Sequence, residues 1–93
     1  MGKYSLYKLP SDILISISKN VVILRKEKGW TQLDLAEKSD VSYGSIKRFE
    51  QSGQISFESL LKIAESLRRL SEFENILLPP KDSQRIKQLF KSY

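Results

Sequence analysis

Apolar residues recur every three or four positions through most of the chain, the period of a helix with one buried face. Leu14, Ile17, Val21 and Leu24 form the first stripe. Pro10-Ser11-Asp12 precedes it, with Ser11 expected as N-cap and Asp12 favourable in the first turn. Ile13, Ile15 and Ile17 also alternate with Leu14 and Ser16, and β-branched residues favour strands. The stripe runs on to Leu24, which decides for a helix. Lys26 and Lys28 fall in its last turn and Gly29 stops it.

Thr31-Gln32-Leu33-Asp34 has the form of a short capping box, opening a second helix with Leu35 and Ala36 inward and Ser39-Asp40 at its end. Ser42 caps a third helix over residues 43–51, closed by Gly53. Ser56 caps a fourth, whose apolar face is Phe57, Leu60, Leu61, Ala64 and Leu67. Ser71-Glu72-Phe73-Glu74 forms another capping box and predicts a short fifth helix with Phe73, Ile76 and Leu77 inward, stopped by Pro79-Pro80. Asp82 can cap a last segment in which Ile86, Leu89, Phe90 and Tyr93 share a face. The expected architecture is all-α: an arm over 1–10, carrying Tyr4, Leu6, Tyr7 and Leu9 without a clear period; a compact five-helix domain over 11–78; and an additional C-terminal helix in an amphipathic tail over 79–93.

The second and third helices are joined by a very tight turn, the arrangement of a DNA-binding helix-turn-helix. At 100° per residue, Tyr43, Lys47, Gln51, Gly44 and Arg48 fall on one arc of roughly 140°. Ile46 and Phe49 lie on the opposite side. Arg and Lys donate to guanine O6 and N7, Gln matches adenine, and Gly44 lets a backbone approach closely. The plainer alternative is a solvated face with two cations.

Composition narrows the choice. The chain has 93 residues, enough for one small domain with a thin core, so a second subunit or partner fits its size. There is no Cys and no His, which removes thiolate nucleophiles, the usual neutral-pH base and the commonest metal ligands. The 11 carboxylates are scattered, so no catalytic site, metal site or cofactor is expected. The formal charge of +5 and a pI near 9.6 fit a polyanionic partner. The first residues do not form a signal peptide, Leu6 breaks the myristoylation pattern, and no apolar run reaches membrane-spanning length. A cytoplasmic, nucleoid-associated protein with no membrane contact is expected.

The set Leu24-Arg25, Gly29-Trp30-Thr31-Gln32, Leu35-Ala36, Val41-Ser42, Ile46, Phe49-Glu50, Gly53, Leu60, Ile63-Ala64 and Leu67 resembles the Cro/C1-type (XRE) helix-turn-helix family. The resemblance covers residues 14–78 and implies a dimer that binds a palindromic operator in double-stranded DNA with its third helix in the major groove. It implies base contacts from Tyr43, Gly44, Lys47 and Arg48, and phosphate contacts from Gln32, Ser42 and Gln51. It places Arg25 and Glu50 as a structural ion pair between the first and third helices; Arg25 on a phosphate is the alternative. Trp30 and Phe49 are implied to be core. Phe73, Ile76 and Leu77 lie where the family pairs its subunits. Two positions depart from the pattern: Asp40 stands where the turn usually has Gly, and Gly44 weakens the helix by about 1 kcal/mol relative to Ala. Asp tolerates the left-handed conformation such a turn needs. The run from Arg48 to Ala64 with the following Phe73 segment is also similar to antitoxins paired with HipA-type kinase toxins, which are dimeric repressors of their own operons. A free-standing regulator, and a module restraining an enzyme without DNA, are the competing functions.

Overall fold

The computed structural model describes residues 8–81 and 89–90. Within them lie four α-helices and no strand: α1 Pro10–Glu27, α2 Gln32–Ser39, α3 Tyr43–Ser52 and α4 Phe57–Ser66, followed by a 3-10 turn at Leu70–Phe73.

Each helix starts and stops on local chemistry. In α1, Ser11 is not the cap. Pro10 occupies the first helical position, where a missing N–H costs nothing and φ is already set, so Leu9 is the N-cap and the helix begins two residues early. The Asp12 carboxylate accepts the Leu9 N–H at 3.0 Å. At α2 the Thr31 hydroxyl accepts the Asp34 N–H at 3.0 Å, and the Asp34 carboxylate accepts the Thr31 N–H at 2.8 Å. Hydrogen bonds from the backbone and side chain of Thr31 hold the Asp34 carboxyl below the usual carboxylate range. Ser42 and Ser56 cap α3 and α4 by accepting the N–H groups of Ser45 and Ser59. α4 ends with Arg68 in the left-handed region, its N–H donating to the Glu65 carbonyl while that of Arg69 donates to Ala64.

The core centres on Leu35, Ile46, Phe49 and Ile63, all fully buried, with Val21, Val41, Leu60 and Leu67 around them. α1 packs on α3, and α2 bridges α3 and α4. The buried arc of α4 is Leu60, Ile63, Ala64 and Leu67. Its centre lies about a fifth of a turn from Phe57, which the apolar count had placed inward. Phe57 is 56% exposed and meets the Phe73 ring edge-on at 6.1 Å.

The expected fifth helix is not an α-helix. Ser71 lies inside the 3-10 turn and caps nothing, and Glu72 pairs with Arg69 instead. Phe73 packs on the core, but Ile76 is 49% and Leu77 95% exposed, so neither points inward within the subunit. Leu77 takes a left-handed φ of 56°, and Pro79 disfavours helical backbone at Leu78. In the tail, Leu89 and Phe90 are helical and exposed. Asp82, Ile86 and Tyr93, like Tyr4, Leu6 and Tyr7, lie outside the described residues, so the additional C-terminal helix stays an expectation.

Candidate nucleic-acid interface

α2 and α3 meet across Asp40-Val41-Ser42. Asp40 supplies the left-handed residue that the missing glycine would have supplied, with φ 59° and ψ 35°. Val41 is buried beneath the turn, and its N–H donates to the Ala36 carbonyl at 3.2 Å. The corner is therefore held by core packing as well as by backbone bonds.

Ile46 and Phe49 anchor α3 from behind, both fully buried. Tyr43, Gly44, Lys47, Arg48 and Gln51 are all exposed on its other side. The Lys47 ammonium sits 4.8 Å from the Tyr43 ring centroid, so phenol and cation form one unit. A Cβ added at Gly44 would meet nothing within 4 Å, so no packing inside the subunit calls for a glycine there. Arg48 donates from Nε and Nη2 to Gln54 Oε1 at 3.1 and 2.6 Å. The Ser42 hydroxyl is exposed, accepting the Ser45 N–H and donating to Ser45 Oγ at 2.8 Å.

Arg25 is turned away from this surface. Its Nε and Nη2 donate to Glu50 Oε2 and Oε1 at 2.8 and 2.9 Å, and its Nη1 to the Trp30 carbonyl at 2.8 Å. The two side chains retain 9% and 6% of their exposure. A buried bidentate pair of this kind ties α1 to α3 and fixes the tilt of α3. Gln32, at the first position of α2, is half-buried and donates to Glu50 Oε1 at 2.8 Å. Trp30 is packed against the core with the Lys28 and Lys38 ammonium groups 5.3 and 5.0 Å from its ring.

A short exposed-faced helix, anchored from behind and reached by a tight turn from its predecessor, is the geometry of a reading head for the major groove. The model of the helix-turn-helix family matches residues 23–74, more than half of the chain. The chain belongs to the Cro/C1-type helix-turn-helix family. This Cro/C1-type chain is a DNA-binding regulator. No curated protein and no solved structure matches it significantly. Among the described residues, no helix is long and apolar enough to cross a membrane.

Two contacts of this Cro/C1-type site escape sequence pattern. Gln54 reaches back across Gly53 to Arg48, a pairing six residues apart with no helical period behind it. Gln32 joins the buried pair although its position at the start of α2 suggests only a phosphate contact.

Proposed function

We propose that this protein is a dimeric, sequence-specific repressor that reads a palindromic operator with α3, and that it is the antitoxin of a HipA-type kinase toxin whose operon it represses. It acts by binding and carries out no chemistry of its own, and its place in the cell is the nucleoid. The observation that carries the repressor reading is the outer face of α3, where Tyr43, Gly44, Lys47, Arg48 and Gln51 are exposed together. Arg48 and Lys47 supply base-directed donors; Gly44 admits the groove edge; Gln51 and Ser42 flank them toward the phosphates. The antitoxin role is supported by the resemblance of the Arg48–Ala64 run and Phe73 to that group.

Gel-shift titration against a random duplex pool at stated salt tests the DNA reading. Arg48→Ala is expected to weaken specific binding by about 1–3 kcal/mol and relax preference at one base pair. Gln32→Ala is expected to weaken all sequences more evenly, through loss of a phosphate contact, which carries no sequence information, and of the bond that Gln32 donates to Glu50 Oε1. Unchanged specific affinity for Arg48→Ala would remove Arg48 from the reading face. For the antitoxin role, the full chain is mixed with the kinase-like product of the neighbouring reading frame. A complex that survives size exclusion supports it, and no complex leaves a free-standing regulator.

A further inference from the structure

Arg48 is held by a side chain that does not belong to α3. Its Nε and Nη2 both donate to Gln54 Oε1, at 3.1 and 2.6 Å. A guanidinium offers donors only, so the carbonyl end of the amide must face it. Gln54 is itself seated from behind. Ser52 Oγ donates to the Arg48 carbonyl oxygen at 2.7 Å and accepts the Gln54 N–H at 3.2 Å, so one hydroxyl joins the backbones of both partners. Gly53, between them, is buried with φ 81°, and its N–H donates to the Phe49 carbonyl at 2.7 Å. A Cβ at Gly53 would stand 2.9 Å from the carbonyl carbon of Leu14 and 3.0 Å from the Ile15 nitrogen. The turn that carries Gln54 therefore rests on the backbone of α1.

We propose that Gln54 is a positioning residue that sets which edge of Arg48 meets the DNA. The Nε/Nη2 edge is occupied by Gln54. The pair left to offer is Nη1 with the second hydrogen of Nη2, the end-on fork that matches guanine O6 and N7. The guanidinium plane is oriented before the duplex arrives, so less side-chain freedom is lost on binding. The inference rests on Arg48 as a base contact.

The test uses the full chain and duplexes chosen from a random pool by the wild type. Each operator base pair is replaced in turn and competition affinities are measured at fixed salt, alongside thermal melts. Arg48→Ala first identifies the base pair that Arg48 reads. Gln54→Ala is expected to lower discrimination at that same base pair about three- to tenfold, the worth of pre-orienting one long side chain. Other base pairs and the melt stay unchanged, and the double variant discriminates no worse than Arg48→Ala alone. Gln54→Glu keeps the acceptor and is expected to keep the discrimination, while its charge weakens binding to all duplexes alike. Gln54→Ala relaxing a different base pair, weakening all duplexes equally, or sparing the Arg48 base pair would each overturn the positioning role and leave the Arg48 reading intact. If Arg48→Ala itself relaxes no base pair, the Arg48 reading fails and the positioning role with it.

Discussion

Glu50 accepts three hydrogen bonds with a side chain only 6% exposed, two from Arg25 and one from Gln32. Removing it leaves a guanidinium buried without its counter-charge. Glu50→Ala is therefore expected to cost about 3–5 kcal/mol in a reversible thermal or denaturant melt. That is a large share of the ~5–15 kcal/mol that holds a small domain folded. Gly44 works in the opposite sense. Nothing in the subunit occupies the space of its missing Cβ, so Gly44→Ala is expected to stabilise α3 by about 1 kcal/mol. The same variant is expected to bind operator more weakly, because the proposed reading brings the groove edge to the position of that methyl group. A higher melting temperature with unchanged affinity would show that the backbone does not come close there.

At the scale of the element, capping decides where helices begin, and one cap carries a charge. Asp34 is held ionised to lower pH in the folded chain than in the unfolded one by its bonds to Thr31. Its contribution to stability is present above the unfolded carboxylate pKa and is lost as pH falls through the lower folded value. Asp34→Asn is expected to melt below the wild type at neutral pH, and the gap is expected to close in acid; a constant gap between pH 7 and pH 3 would contradict this. The caps at Thr31, Ser42 and Ser56 and the stops at Gly29, Asp40 and Gly53 were legible in the sequence because each acts within four residues. The Arg25–Glu50 pair was legible only through the family pattern, since nothing local joins positions 25 apart. The segment after Arg69 was misjudged for a physical reason. Its helix would need Leu77 in a right-handed conformation, and Leu77 is left-handed. Gln54 was missed because a side chain reaching back around a glycine turn leaves no periodic trace.

For the whole molecule, one thin core leaves apolar surface uncovered. Phe57, Leu70, Ile76, Leu77 and Leu78 remain exposed, and Phe57 meets the half-buried Phe73. Patches of that kind mark association sites. A two-fold dimer formed through Phe73, Ile76 and Leu77 would set two α3 helices about 34–36 Å apart, one turn of duplex. Sedimentation at micromolar concentration is expected to give a dimer. Leu77→Asp is expected to give a folded monomer with unchanged helical circular dichroism, a lower melting temperature and binding to a single half-site only. A wild-type monomer bound to one half-site would contradict this arrangement.

The chain contains a single tryptophan, and its location makes it an optical reporter. The Trp30 indole lies at the junction of α1 and α2, between two ammonium groups, and its own carbonyl accepts from Arg25. Disrupting the Arg25–Glu50 lock is expected to free the Arg25 side chain that bonds that carbonyl, and with it to shift the indole relative to both cations. Intrinsic emission excited at the red edge of protein absorption should follow this corner separately from the tyrosines, without a label. Fluorescence and circular dichroism would then separate loosening of the corner from loss of helix.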